Sequence, residues 1–302
     1  MSDTSGDQRL SAGVIGLGLL GSAIVQRLEE RGFAVIGFDV DSARATELGV
    51  TQASSPAELA TRVERLVLCL PDSDAVEEVC FGVDGLLPGA GSRLGLILDC
   101  TTGEPERSEA FAVRCEEAGV AFVEAEVSGS SEMLLRGEAA LLVGAEGDGL
   151  EAAEELLDAL SPIVFHLGAV GAGAKMKLVS NLVVGLNRLV LAEAVYLAER
   201  ADVSPGALLE VLRAGPGASR ALELKGDKML KSDYAPVARL AQHLKDVELI
   251  LGLGSAAGAE LPLSRLHRDL LSQGVEEGLG ELDNSSIIEV LRNRPSSEDG
   301  GD

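Results

Sequence analysis

Two polar side chains, Lys177 and Asn181, stand four residues apart in a mostly apolar stretch. On an α-helix this spacing places both side chains on one face. Burying an ammonium and an amide together is costly unless they have polar partners, and a cleft would supply such partners. A lysine in a partly buried site can give its proton to a carbonyl oxygen, because burial favours loss of its charge. A second interpretation stays open, in which the Lys177 ammonium reaches solvent and Asn181 has only a structural role, as a capping or packing residue.

A glycine-rich segment near the N-terminus matches G-x-G-x-x-G, the pattern of a dinucleotide-binding turn. Its residues are Gly16, Leu17, Gly18, Leu19, Leu20 and Gly21. A strand is predicted directly before this segment and a helix directly after it. We expect the first glycine to form the turn, the second to admit the pyrophosphate and the third to let helix and strand pack closely. The pyrophosphate would then lie at the positive end of the helix.

Asp39 ends the second predicted strand, at the spacing of the carboxylate that accepts hydrogen bonds from the adenosine ribose. A carboxylate there repels a 2′-phosphate, so the sequence favours NAD over NADP as cofactor. Asp41 or Ser42 could replace or support Asp39, and Arg44 lies close enough in sequence to weaken the argument for NAD. Together with a proton-donating lysine, NAD(H) binding predicts hydride transfer to or from a carbonyl carbon.

Short apolar runs alternate with amphipathic stretches through the first half of the chain. Strands are predicted at 13–16, 34–38, 66–70, 94–98, 121–123, 139–143 and 163–165. Helices are predicted between them, as at 22–31, 56–62 and 73–80. This alternation predicts an α/β fold with a Rossmann-type, doubly wound parallel sheet. Beyond residue 175 the periodicity is helical, with helices predicted at 178–199, 205–213, 218–231, 235–253, 262–274 and 284–292.

The predicted organisation has two domains between disordered ends. Residues 1–10 form a disordered N-terminus, 11–167 a dinucleotide-binding Rossmann domain, 168–294 an all-helical catalytic and dimerisation domain, and 295–302 a disordered tail. The apolar breadth of the helix predicted at 178–199 makes a homodimer or homotetramer the expected assembly.

Composition excludes several classes of function. A net charge of −24 disfavours nucleic-acid partners and anionic membrane surfaces. The most apolar run, 178–197, is predicted to be a core helix rather than a membrane span, because it contains Asn181, Asn187, Arg188 and Glu193. The four cysteines lack metal-ligand spacing or close pairing, which indicates reduced thiols in a cytoplasmic protein and no metal site.

The chain resembles the β-hydroxyacid dehydrogenase family, which includes 3-hydroxyisobutyrate dehydrogenase and the glyoxylate/succinic semialdehyde reductases. The family pattern G-x-G-x-x-x-K-x-x-x-N matches Gly171, Gly173, Lys177 and Asn181. The resemblance extends from Gly13 to about Arg292 and is strongest to the glyoxylate/succinic semialdehyde branch. It implies that Lys177 is the catalytic acid/base and that Asn181 contacts the substrate.

Other family positions imply further site residues. Leu70 and Pro71 match a loop that lines the cofactor, and Thr102 matches a threonine near the nicotinamide. Lys245, in Leu-Lys-Asp, matches a lysine that reaches into the active site. A second cation there would help an acidic protein to bind a carboxylate. By itself, Lys245 would be interpreted as half of a surface pair with Asp246.

The substrate loop departs from the family pattern D-x-P-V-S-G-G. Ser128 and Gly129 are kept and, with Ser130, are predicted to hold the substrate carboxylate. Ser130 replaces a glycine, and Glu126 replaces the proline and brings negative charge into the loop. Downstream, Arg136 is either a compensating anion ligand or a solvated loop residue.

The resulting prediction is an NAD(H)-dependent enzyme that interconverts a short β-hydroxyacid with its semialdehyde or oxo acid. Its partner is therefore a small carboxylate or aldehyde substrate. One alternative is an imine reductase, which shares the architecture but carries a different residue at the position of Lys177. Another is a non-catalytic NAD-binding sensor or scaffold, which the altered loop would favour.

Overall fold

The computed structural model describes residues 10–87 and 91–293. The chain forms two compact units, Met1–Lys177 and Leu178–Asp302. Of the predicted disordered ends, 1–9 and 295–302 lie outside the described residues, and Leu10 is exposed. The domain limits expected from the sequence stay a prediction.

The first unit is built around one sheet, which has eight strands within the described residues. They are β1 (Ser11–Ile15), β2 (Ala34–Phe38), β3 (Thr51–Gln52), β4 (Arg65–Leu68), β5 (Leu96–Asp99), β6 (Ala121–Ser128), β7 (Ala140–Gly144) and β8 (Ile163–His166). Their order across the sheet is β3-β2-β1-β4-β5-β6-β7-β8. This arrangement confirms the predicted α/β fold class.

The direction of β7 differs from the prediction of a wholly parallel sheet. Neighbouring strands pair in parallel from β3 across to β6, but β7 runs antiparallel to β6. Strand β8 pairs in parallel with β7 and therefore also runs opposite to β6. The connection between β6 and β7 spans only residues 129–139. A parallel crossover needs roughly a dozen residues or more, so this short connection favours the antiparallel return.

Seven helices of the described chain precede the helical second half. They are α1 (Leu19–Glu30), α2 (Ser42–Leu48), α3 (Pro56–Arg62), α4 (Ser73–Phe81), α5 (Pro105–Glu117), α6 (Ser131–Leu135) and α7 (Asp148–Leu160). Side-chain oxygens of Asp41, Ser55 and Asp72 cap α2, α3 and α4 by accepting backbone N–H groups of the first turn. The predicted alternation gave no bounds for helices α2, α5, α6 and α7.

The central strands are buried on both faces, as a sheet between two helical layers requires. Successive residues of β1 belong to two different cores. Val14 packs with Ile24 and Leu28 of α1. Ile15 packs with Leu66 and Leu68 of β4. The strand period of two therefore divides the apolar side chains between the faces.

The sheet changes its direction of winding beside β1, which pairs with β2 on one side and β4 on the other. In doubly wound sheets ligands bind outside the carboxyl ends of the strands at this point. The turn after β1 and the loop after β4 both lie at this edge. These are the segments that the sequence predicts to bind the cofactor.

The second half of the described chain is helical. Its elements are α8 (Ala172–Arg200), α9 (Pro205–Ala214), α10 (Arg220–Lys231), α11 (Leu240–Ala256), α12 (Pro262–Glu276), a 3-10 turn (Asn284–Ser286) and α13 (Ile287–Arg292). Helix α11 begins at Leu240 instead of the predicted residue 235. The buried carboxylate of Asp283 accepts the N–H groups of Val237 at 3.1 Å and Ala238 at 3.3 Å. Pro236 lacks a donor, so this segment is held by Asp283 and not by helical bonds.

Helix α8 is apolar on two sides. Leu189, Ala192 and Val195 pack in the core of the second unit. By length and composition alone α8 could cross a membrane, a test that core helices also pass, and 39% of its most apolar window is buried. The predicted core helix is buried along one side, and on another side Val183 and Val190 are more than half exposed.

Candidate active site

The turn between β1 and α1 has the steric character expected of a dinucleotide-binding loop. Gly16 has a φ of 90°, and a Cβ there would overlap the carbonyl oxygen of Cys69. A Cβ on Gly21 would overlap the carbonyl oxygen of Gly16. A Cβ on Gly18 would meet only the Arg44 guanidinium, at 3.5 Å. The first and third glycines are therefore required by packing, whereas the second leaves open space beside the backbone.

Asp39 is buried at the end of β2 and is fixed by backbone donors. Its carboxylate accepts the N–H of Leu17 at 2.7 Å and the N–H of Asp41 at 2.9 Å. Arg44 forms an ion pair with it at 3.3 Å and is itself partly exposed. The predicted ribose ligand thus lies against the glycine turn, and the cation that weakens the argument for NAD is in direct contact with it.

Leu70, Pro71 and Thr102 follow β4 and β5 at the same edge of the sheet. The N–H of Leu70 donates to the Thr101 hydroxyl at 3.0 Å, which ties the two loops together. Asp99 orients the second loop by accepting the N–H of Thr101 at 2.9 Å. The loops predicted to line the cofactor are therefore neighbours.

Lys177 is buried in the first unit, with 8% of its surface exposed. Its Nζ donates a hydrogen bond to the carbonyl oxygen of Val127 on β6. The open interpretation in which Lys177 reaches solvent does not hold. Lys175, two residues earlier, is exposed and pairs with Glu109 at 2.8 Å.

Glu124 lies on β6 at the N-terminus of α8. Its Oε2 accepts the N–H of Gly171 at 3.0 Å. Burial raises the pKa of this carboxyl to about 7, although N–H groups at the start of α8 oppose the rise. A negative charge is favoured at a helix N-terminus, so β6 and α8 are joined here by a titratable contact.

Glu126 stands two residues further along β6 and is 1% exposed. Its Oε2 accepts a hydrogen bond from the Thr102 hydroxyl at 2.7 Å. Burial raises the pKa of the Glu126 carboxyl well above its ordinary value, and the nearby Lys177 ammonium opposes that rise. The sequence identified Glu126 only as a departure from a family pattern, without a role.

Ser128, Gly129 and Ser130 lead out of β6. Gly129 has a positive φ of 157°, and a Cβ there would lie 2.8 Å from the Ala139 side chain, which explains why glycine is kept. Ser130 has ordinary extended backbone, so it needs no glycine, and its hydroxyl caps α6 by accepting the N–H of Met133 at 3.2 Å. Arg136 is exposed and pairs with Glu138 at 3.2 Å, as expected of a solvated loop residue.

In the helical unit, Asn181 and Lys245 converge on one carboxylate. Asn181 Nδ2 donates to Asp246 Oδ2 at 3.3 Å. Lys245 Nζ lies 3.8 Å from Asp246 Oδ1. The contact agrees with the interpretation of Lys245 and Asp246 as a pair, but Asp246 is mostly buried. The sequence showed Asp246 only as the last residue of Leu-Lys-Asp, and its link to Asn181 crosses 65 residues of chain.

Two protein-family models match the chain. The first describes the NAD-binding domain of 6-phosphogluconate dehydrogenase and covers residues 11–168. The second describes the NAD-binding region of NADP-dependent 3-hydroxyisobutyrate dehydrogenase and covers residues 171–291.

Named relatives extend over nearly the whole chain. Glyoxylate/succinic semialdehyde reductase 2 of Arabidopsis thaliana is 30% identical over 96% of this chain and 81% of its own length. L-threonate dehydrogenase of Cupriavidus necator is 31% identical over 92% of this chain and 95% of its own length.

Solved structures share the fold. A 3-hydroxyisobutyrate dehydrogenase from Salmonella typhimurium superposes with a TM-score of 0.85 at 23% identity, covering 93% of this chain and 99% of the other. An imine reductase from Pseudomonas sp. is more distant, with a TM-score of 0.58 at 20% identity over 94% of this chain and 99% of the other.

Proposed function

Because the chain belongs to the β-hydroxyacid dehydrogenase family of NAD(P)-dependent oxidoreductases, we propose that it interconverts a short β-hydroxyacid with its semialdehyde or oxo acid. The proposed substrate resembles 3-hydroxyisobutyrate, and the proposed general acid/base is Lys177. The observation that carries the proposal is the burial of Lys177 on α8, where its Nζ donates a hydrogen bond to the Val127 carbonyl of β6. A buried, oriented ammonium can deliver one proton to a carbonyl oxygen without competition from water.

The residues around the glycine turn fit a dinucleotide. The proposed cofactor ligands are Gly16, Leu17, Gly18, Leu19, Leu20, Gly21, Asp39, Leu70, Pro71, Thr102 and Lys245. When bound, the nicotinamide supplies or accepts the hydride. The open space at Gly18 supports binding of the pyrophosphate. The buried carboxylate of Asp39 supports a preference for NAD over NADP, because it would repel a 2′-phosphate.

In the reductive direction Lys177 gives its Nζ proton to the substrate oxygen and then regains one from solvent. Asn181 lies one turn further along α8 and is proposed to orient Lys177 or the substrate oxygen. The hydrogen bond from Asn181 to Asp246 fixes its amide, so that its carbonyl oxygen has a defined direction.

The substrate carboxylate is proposed to bind at Ser128, Gly129 and Ser130. The positive φ of Gly129 presents its backbone differently from an ordinary strand residue, and the Ser130 hydroxyl keeps a proton to donate. Lys245 is proposed as a second cation for the carboxylate. In a protein of net charge −24, an anionic substrate needs such local positive charge.

The proposed assembly is a homodimer or a larger homo-oligomer, and the proposed compartment is the cytoplasm. The exposed apolar side of α8 supports self-association. The cysteines are all free, which fits a reducing compartment. We propose no nucleic-acid or membrane partner, in keeping with the strongly negative charge.

The proposal is tested by NADH oxidation with glyoxylate, succinic semialdehyde and 2-methyl-3-oxopropanoate. Lys177→Ala should lose turnover by roughly 10²–10⁴-fold while it still binds NADH, because general acid catalysis contributes about that factor. Lys175→Ala is the matched control, since its side chain lies on the same helix but is exposed. Its turnover should stay within about twofold of wild type.

Two results would count against the proposal. Turnover that survives in Lys177→Ala would remove Lys177 as the proton donor. Tight NADH binding with no turnover of any hydroxy or oxo acid would favour the sensor alternative.

A further inference from the structure

Glu126 is a carboxylic acid buried where charge is costly. Thr102 donates to Oε2 at 2.7 Å, whereas Oε1 is buried with no hydrogen-bond partner among the described residues. An ionised carboxylate in such a place is retained only if a nearby positive charge compensates it.

The charged and titratable groups that act electrostatically with Glu126 come from several elements. They are Lys177 on α8, Glu124 on β6, Asp99 at the end of β5, and the thiols Cys69 and Cys100. Among these described groups Lys177 alone is a cation. The two carboxylates, Glu124 and Asp99, make the neutral acid of Glu126 more favourable, and Lys177 makes the carboxylate more favourable.

Backbone geometry couples the same two residues. Lys177 Nζ is bound to the carbonyl of Val127, the residue that follows Glu126 on β6. Thr102 in turn fixes the Glu126 carboxyl from the loop after β5. The position of Nζ and the position of the carboxyl are therefore set by one short stretch of strand.

We propose that Glu126 is a positioning residue that acts through Lys177, by favouring the protonated amine before each reduction while the neighbouring Val127 carbonyl holds Nζ in place. This inference rests on the proposed function, in which Lys177 is the proton donor. After Lys177 gives its proton to the substrate oxygen, its ammonium no longer compensates negative charge on the buried Glu126 carboxyl. The pair then takes up one proton from solvent, which restores the ammonium and balances the reduction of one carbonyl by one NADH and one proton.

Glu126→Gln is the test, because glutamine keeps the size of the side chain and an acceptor for Thr102 but removes the charge. Without the carboxylate, burial favours the neutral amine. The alkaline limb of the kcat/KM profile for reduction should move to lower pH by about one unit or more. Glu126→Asp keeps the charge at a shorter reach, so its limb should stay in place while kcat falls.

A second measurement does not depend on turnover. The chain has six lysines, so protein labelled with ¹³C at lysine Cε gives few signals, and Lys177→Ala identifies that of Lys177. In Glu126→Gln the titration of this signal should move to lower pH by about one unit or more, with NADH binding kept.

The possible outcomes separate this inference from the proposed function. If Lys177→Ala is inactive but Glu126→Gln leaves both the kinetic profile and the Lys177 titration unchanged, the Glu126 inference is overturned alone. If Lys177→Ala remains active, the proposed function fails, while a shifted Lys177 titration still supports the coupling. If Glu126→Gln does not fold, two other variants decide. The inference is supported if the pH at which the Lys177 signal titrates is unchanged in Glu126→Asp and changed in Thr102→Val. An unchanged titration in Thr102→Val overturns it.

Discussion

At the scale of single residues, Asp39 and Arg44 together set the charge at the proposed ribose site. The carboxylate is buried and bound to two backbone N–H groups, whereas the guanidinium is partly exposed and reaches both Asp39 and Asp41. Opposite charges at this position favour different cofactors, since a carboxylate binds the free ribose and an arginine binds a 2′-phosphate.

We expect Asp39→Ala to change the cofactor preference. The variant loses the ribose acceptor and frees Arg44 to bind a phosphate, so the ratio of the Kd for NADPH to that for NADH should fall by at least about tenfold, equivalent to 1.4 kcal/mol. Titration of NADH and NADPH fluorescence measures both constants. Asp41→Ala, which also loses contact with Arg44, is the control. An unchanged ratio in Asp39→Ala would mean that Asp39 does not discriminate.

At the scale of elements, the junction of β6 with α8 contains a titratable contact. Glu124 accepts the Gly171 N–H, and burial places its pKa at about 7 compared with 4.5 in an open chain. A carboxyl whose pKa is raised by folding stabilises the fold when it is protonated. Its contribution is complete below pH 4.5 and is lost as the pH rises towards 7.

Glu124→Gln should therefore become more stable relative to wild type as the pH rises through this window. The expected change in relative free energy of unfolding is up to about 3 kcal/mol, from about 1.36 kcal/mol per unit of pKa. Urea unfolding followed by circular dichroism at pH 5 and pH 8 measures it. Glu109→Gln, an exposed carboxylate on α5, should show no such trend. Parallel pH dependences of wild type and Glu124→Gln would contradict the expectation.

At the scale of the whole molecule, α8 presents an apolar stripe to solvent. Helical spacing places Val179, Val183, Val190 and Leu197 along one side, and each is more than half exposed. Exposed apolar stripes of this kind mark protein–protein contacts. The proposed occupant is a second copy of the chain, because a twofold contact brings the same surface from both copies.

Charge placed on the stripe should break the assembly. We expect wild type to elute as a dimer or larger oligomer, and Val183→Glu with Val190→Glu to shift it to a monomer in size exclusion with light scattering. Val113→Glu, an equally exposed valine on α5, is the matched control and should leave the oligomer intact. A wild type that is already monomeric at micromolar concentration would exclude this interface.

Local patterns by themselves determined much of this protein. The glycine spacing predicted the turn after β1, where a Cβ on Gly21 would overlap Gly16 five residues earlier and a Cβ on Gly16 would overlap Cys69 after the neighbouring strand β4. The alternation of periods two and 3.6 determined the order of strands and helices and so the fold class, since these periods are properties of the backbone. Lys177 was also recognised from a local pattern, because it belongs to a short motif with Gly171, Gly173 and Asn181.

Tertiary structure decided the surroundings of those residues. The partners of Lys177, Glu126 and Asn181 lie 50, 24 and 65 residues away in the chain. The burial of Glu126 beside Lys177, the return of β7 and the exposed side of α8 all depend on how distant segments pack. Burial and proximity change the energy of a charge by several kcal/mol, whereas the identity of a residue fixes only which charge it can carry. For that reason the sequence could name the proposed proton donor, but only the folded chain could supply the carboxyl proposed to act on it.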